Sequence, residues 1–151
     1  MTATNKYAHE LCTGDEYAPL DFTVEADLNQ QFLFTIEDFD PIYLGQDDAP
    51  AQVHPMILLH MSARTRSSSF RLPPNVGSVF AREKVRFLRP AYVGQALRTT
   101  WKIRDTYEKN GRQYQVMAIT IAGPEIVIER EMHSVFYTVD PVRGAAATGA
   151  A

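Results

Sequence analysis

The chain has 151 residues, 45% of them hydrophobic and 22% charged, a composition that fits one ordinary globular domain with its own core. Cys12 is the only cysteine, which excludes a disulfide framework, and the longest apolar run, residues 56–59, is far short of the roughly 20 residues a membrane-spanning helix needs. The net charge of −3 hides an asymmetry: residues 1–54 hold eleven Asp or Glu against one Lys, whereas residues 55–151 hold fourteen Lys or Arg against seven acids.

Residues 1–12 are expected to form a loose N-terminus, residues 13–140 the folded domain, and residues 141–151, rich in Ala and Gly, a disordered tail. There is no charged-then-apolar leader, so the expected compartment is the cytoplasm. Residues 17–24 read as a short strand. Residues 25–34 read as a helix with acids in its first turn, where they complement the helix dipole. Residues 38–53 hold two prolines, a glycine and a cluster of acids, and a connection of that length is the first place to look for chemistry.

Pro55 opens a second helix, because the first helical position has no use for the N–H that proline lacks. Its first turns, Met56 to Met61, are apolar nearly all round, which predicts burial; residues 64–69 are polar and are expected to emerge into water. His60 is then expected to be a buried histidine with a satisfied hydrogen bond. Four strand-length runs follow, at residues 76–88, 96–107, 114–122 and 126–139. They are divided by Arg89-Pro90 with Gly94, by Asn110-Gly111 and by Gly123-Pro124, each of which is turn chemistry. An antiparallel meander is expected, and the whole is an α+β plan with a long central helix lying on one curled sheet.

Seven basic residues, Arg82, Lys84, Arg86, Arg89, Arg98, Lys102 and Arg104, face only Glu83 in that stretch. They read first as the wet face of a sheet, and second as a positive strip for a phosphorylated ligand. Nothing resembling a nucleic-acid reader accompanies them, so no nucleic-acid partner is expected. Four histidines and one cysteine without ligand-like spacing predict no metal site. Ser67-Ser68-Ser69 lacks the glycine-flanked elbow of a nucleophilic serine.

Four segments in this order resemble the MaoC-like hydratase and dehydratase family, which includes the R-specific enoyl-CoA hydratases. Asp38-Phe39-Asp40-Pro41-Ile42-Tyr43 is similar to the family's signature of Asp, any residue, Asn, Pro, an aliphatic residue and His. Val53-His54-Pro55-Met56 stands where the family has Ala-His-Gly-Met at its central helix. Phe87-Leu88-Arg89-Pro90-Ala91-Tyr92-Val93-Gly94-Gln95 resembles its Phe-x-Arg-Pro-Val-x-x-Gly-Asp turn, and residues 107–114 resemble its hairpin. The likeness runs from about Thr13 to Thr138 and implies a hotdog fold.

The resemblance implies addition of water to an enoyl thioester, or its removal from a 3-hydroxyacyl thioester, of coenzyme A or a carrier protein. Beyond the coenzyme A or phosphopantetheine of that substrate, no cofactor is implied. Asp38 matches the catalytic Asp. Tyr43 replaces the catalytic His, and a phenol with a pKa near 10 donates hydrogen bonds but is a poor base. His54 can assist as base or donor, or simply cap the helix. Asp40 stands in for an amide, Pro55 removes an N–H at the family's Gly, and the Met56 and Ile57 N–H groups remain as donors for the thioester oxygen. Arg89 is a candidate for the substrate's phosphates or for pinning its turn. The family's habits also imply a homodimer or a pair of unlike hotdog chains, paired by sheet edges. Two other functions are compatible with the fold: a non-catalytic or acyl-binding subunit, and a thioesterase using Asp47 or Asp48.

Overall fold

The computed structural model describes residues 5–139. Two helices, α1 (Ala26–Ile36) and α2 (Pro55–Met61), accompany five strands, β1 (Leu20–Phe22), β2 (Val76–Phe87), β3 (Leu97–Lys109), β4 (Arg112–Ala122) and β5 (Ile126–Thr138). The strands form one antiparallel sheet in the order β1-β3-β4-β5-β2. Alternating Val, Ile, Thr, Tyr and Trp residues set the long strands. Asn110 and Gly111, both at positive φ, form the two-residue turn between β3 and β4 that places Lys109 opposite Arg112. The expected strand boundaries hold to within two residues at either end, apart from the short first strand. The expected meander holds only for β3, β4 and β5. β2 lies at the far edge against β5, from Val76 opposite Thr138 to Phe87 opposite Ile128, because the turn at Arg89 to Gln95 carries the chain across the sheet instead of back along β2.

The concave face of the sheet holds α2. Ile57 and Leu58 pack against Val24, Leu97, Ile121 and Ile128. The sheet also supplies donors for the carbonyls that a helix C-terminus leaves unpaired. Thr99 Oγ1 donates to Met61 O at 3.3 Å, Trp101 Nε1 to Ser62 O at 2.8 Å, and an Arg130 guanidinium nitrogen to Leu59 O at 3.3 Å and Ser62 Oγ at 2.6 Å. The cation at that end also suits the helix dipole. These contacts end α2 after seven residues, so the central helix is shorter than the sequence pattern suggests.

Three expectations are corrected. Residues 8–11 are packed, not loose: Ala8 and Leu11 are buried beside Trp101 and Met117, and Gln115 Nε2 donates to the carbonyls of Ala8 (3.0 Å) and Leu11 (3.1 Å); residues 1–4 lie outside the described residues. Residues 141–151 lie outside the described residues. Residues 64–69 emerge into water only in part: Thr65, Arg66 and Ser68 are exposed, whereas Arg64 and Ser67 are buried. Arg64 is 4% exposed, with its guanidinium on Ser78 and Ser134 and within 5.1–5.6 Å of the Phe70, Phe80 and Phe136 ring centroids, a setting that desolvates the cation while offering it π faces. Ser67 Oγ donates to Ala18 O, and Ala18 N–H donates to Ser69 Oγ, so two of the three serines are backbone clips. Finally, α2 is not buried all round: Met56 is 45% exposed and His60, one turn on, is exposed. Among the described residues no helix is long and apolar enough to cross a membrane.

Candidate active site

Asp38 enters the site from the end of α1. Glu37 takes a left-handed conformation, φ 56°, and lets the Asp38 N–H donate back to Leu33 O at 3.1 Å, closing the helix. The Asp38 side chain follows the same economy. Its Oδ1 accepts the Asp40 N–H at 3.1 Å, and its Oδ2 lies 3.4 Å from His54 Nε2. Asp40 in turn accepts the Ile42 N–H on Oδ1 at 3.0 Å, capping the single 3-10 turn Pro41–Tyr43. Asp40 is therefore the cap that sets Tyr43, and its side chain is exposed.

His54 is the N-cap of α2. Its Nδ1 accepts the Met56 N–H at 3.2 Å, so that nitrogen carries no proton in the neutral ring and Nε2 carries it. Nε2 lies 3.4 Å from Asp38 Oδ2 without a formed hydrogen bond. Both readings of His54 from sequence meet in one residue: it caps the helix and it faces the carboxylate. The pairing has a chemical consequence. In the neutral tautomer that the cap selects, His54 offers an N–H on Nε2 and Asp38 an acceptor. The His54 ring packs between two others, Tyr43 at 5.0 Å and Phe32 at 5.1 Å between centroids.

The structure thus brings together Asp38, Tyr43 and His54. The Tyr43 phenol is held above its ordinary pKa by partial burial, and further by the nearby Asp38 and Asp40 carboxylates, so it remains a donor. Tyr43 also lines, with Pro55, Leu58, Phe87, Leu88 and Arg89, a groove of about 420 Å³, whose walls are mainly apolar.

Other expected site residues have their polar groups already engaged. The Met56 N–H is committed to His54 Nδ1, and the Ile57 N–H to His54 O at 3.0 Å. Neither can serve a thioester oxygen, because the cap and the first turn of a seven-residue helix consume them, and the Ile57 side chain is in the core. Arg89 is tied to the 123–126 turn, with one nitrogen 3.0 Å from Glu125 and another donating to Ile126 O at 3.3 Å. Asp47 and Asp48 sit exposed at the tip of the turn closed by Gln46 and Ala49. Of the seven basic residues, Arg86, Arg89, Arg98, Lys102 and Arg104 pair with Glu129, Glu125, Asp21, Glu16 and Glu131, the pattern of a solvated sheet face.

Sequence reasoning passed over Asn29 and Phe32. Asn29 is buried and Phe32 stacks on His54. The available signal was a polar residue four positions before Leu33 on the same helical stripe.

No protein-family model matches the sequence, and no curated protein matches it. Among solved structures, the chain is similar to a monoamine oxidase regulatory protein from Archaeoglobus fulgidus, with 17% identity over 93% of this chain and 98% of that one, at a TM-score of 0.70. It is similar to a MaoC-like dehydratase from Rhodospirillum rubrum, with 16% identity over 91% and 100% of the two chains, at a TM-score of 0.65. It is also similar to the (R)-hydratase of A. caviae involved in PHA biosynthesis, with 19% identity over 84% and 98%, at a TM-score of 0.60. At these identities the likeness establishes the architecture: the chain has the hotdog fold, a single α+β domain with a curled five-stranded sheet.

Proposed function

We propose that this chain is a MaoC-like hydratase or dehydratase acting on an enoyl or 3-hydroxyacyl thioester of coenzyme A or a carrier protein. The observation that carries the reading is the approach of the Asp38 carboxylate to His54 Nε2, 3.4 Å, at the start of the central helix and beside Tyr43 on an apolar groove. Hydration requires a base for the water proton, a proton for the α-carbon, and a donor to the thioester oxygen as it gains charge. Asp38, partly open to solvent, takes a proton from water as the water oxygen bonds to the β-carbon. The carboxyl then returns that proton to the α-carbon, so the sum is addition of H and OH. His54 Nε2–H steers the carboxylate. Tyr43, kept protonated, donates to the thioester oxygen, a task that falls to it because the Met56 and Ile57 N–H groups are occupied.

The active unit is proposed to be a dimer. β2 pairs with β5 on one side only, leaving a twelve-residue edge with exposed Val79, Phe80 and Phe87, and edges of that length are closed in native assemblies. The phenol at position 43 favours one second reading, a subunit without activity of its own that pairs with an unlike hotdog chain.

Incubation of the pure protein with crotonyl-CoA separates the readings. Loss of enoyl absorbance without thiol release is the expected result. Thiol release supports hydrolysis, and no turnover across a range of acyl chains supports the inactive subunit.

A further inference from the structure

We infer that Asn29, on α1, is the positioning residue that aligns the three separately delivered members of this site. The inference rests on the hydratase reading for its kinetic consequence, but its geometric content does not. Asn29 is 1% exposed. Its Oδ1 accepts the His54 N–H at 3.0 Å, and its Nδ2 donates to Gln52 O at 3.0 Å and to Tyr43 O at 3.4 Å. The three backbone groups come from the 3-10 turn that ends at Tyr43 and from the extended run that enters α2. None of them belongs to a ladder or an intrahelical hydrogen bond, so their pairing depends on this amide.

The arrangement matters because of where the reactive side chains originate. Asp38 comes from the C-terminal end of the same helix that carries Asn29, and its backbone is fixed to that helix through Leu33 O. Tyr43 and His54 come from segments with no strand or helix hydrogen bonds to hold them against α1. Asn29 ties both to α1, and therefore to Asp38, across 14 and 25 residues of sequence. An amide suits the position because it offers an acceptor for one N–H and two donors for two carbonyls at once. A leucine of similar volume would leave the buried His54 N–H and the two part-buried carbonyls without partners. Displacement of about 1 Å at a catalytic group is enough to cost ~100-fold in rate, so loss of this tie should appear as a change in alignment more than in substrate affinity.

The test uses the full chain as wild type, Asn29→Ala and Asn29→Ser, the last retaining a hydroxyl that can hold one of the three bonds. Three properties are read: cooperative unfolding, the ¹⁵N shifts of the His54 ring assigned by comparison with His54→Asn, and crotonyl-CoA kinetics. In the wild type one ring nitrogen should be unprotonated and the other should carry the proton. In Asn29→Ala the two shifts should move toward averaged tautomers. kcat should fall about 10- to 100-fold with KM within about threefold, and Asn29→Ser should lie between. Folded variants with wild-type ring shifts overturn the inference, as does failure of both variants to fold, which would make Asn29 a folding residue alone. If the wild type does not hydrate crotonyl-CoA, the hydratase reading falls, and the ring shifts still decide the role of Asn29.

Discussion

His54 Nε2 lies 3.4 Å from Asp38 Oδ2 while the Nδ1 of the same ring accepts the Met56 N–H at 3.2 Å. One imidazole therefore holds the start of the central helix with one nitrogen and sets the other beside a carboxylate. Substituting each partner separates structural from chemical roles.

Asp38→Asn keeps the acceptor for the Asp40 N–H and removes the base. The fold and melting temperature should hold, while crotonyl-CoA hydration falls by about 10²–10⁴-fold, the usual contribution of general base catalysis. Activity within a few-fold of wild type would remove Asp38 from the mechanism.

His54→Asn supplies a side-chain oxygen in place of Nδ1 as the acceptor of the helix cap, whereas His54→Ala removes the acceptor. Chemical denaturation should show the Ala variant less stable than the Asn variant by about 1 kcal/mol. Both variants should lose turnover to a similar extent, because neither presents a ring N–H to Asp38. Full activity in His54→Asn would leave this histidine as a cap only.

Tyr43→Phe tests the donor. Its hydroxyl is proposed to serve the thioester oxygen, and removal of one such donor lowers kcat about 10²–10³-fold. Burial, then Asp38 and Asp40, raise the phenol pKa above its ordinary value near 10. The donor then stays protonated across pH 6–9, and the pH–rate profile should show no alkaline loss from this group in that range. A wild-type rate in the Phe variant would assign the oxyanion to another group.

Tyr17 predicts an alkaline limit to stability. Burial pushes its phenol up to about 12, with the Arg64 cation acting in the opposite direction, and its hydroxyl has no hydrogen-bond partner among the described residues. Folding favours the neutral phenol, so its contribution is complete below the unfolded pKa near 10 and is lost as pH rises from 10 through 12. The loss is on the order of 2–3 kcal/mol. Denaturation as a function of pH should show this limb in the wild type and a shallower one in Tyr17→Phe. The Phe variant should equal or exceed wild-type stability at pH 7, since it deletes an unpaired buried hydroxyl. An unchanged limb in Tyr17→Phe would assign the alkaline loss elsewhere.

Light scattering at micromolar concentration should give twice the 17.0 kDa chain mass. Val79→Lys places a charge on the open edge of β2, the means by which native sheets prevent edge pairing, and should shift the equilibrium toward monomer without loss of secondary structure. A wild-type monomer would overturn the proposed assembly.

The local pattern of the chain was enough to determine the strands and turns and the start of α2 at Pro55, while the resemblance to the MaoC-like family pointed to Asp38, Tyr43 and His54 as the place to look. Alternation of apolar residues, proline geometry and Asn-Gly turns act over a few residues, so they are legible in sequence. Tertiary structure alone decided the partner of β2, the seven-residue length of α2, the burial of Arg64 among three phenylalanines, and the use of Asn29 as a clasp. It also decided that the Met56 and Ile57 N–H groups are spent inside the helix cap, while His60 faces outward. Each of these depends on which donor or ring meets which acceptor once the chain has folded, often across tens of residues, and a hydrogen-bond partner chosen by folding leaves no periodic trace in the chain that supplies it.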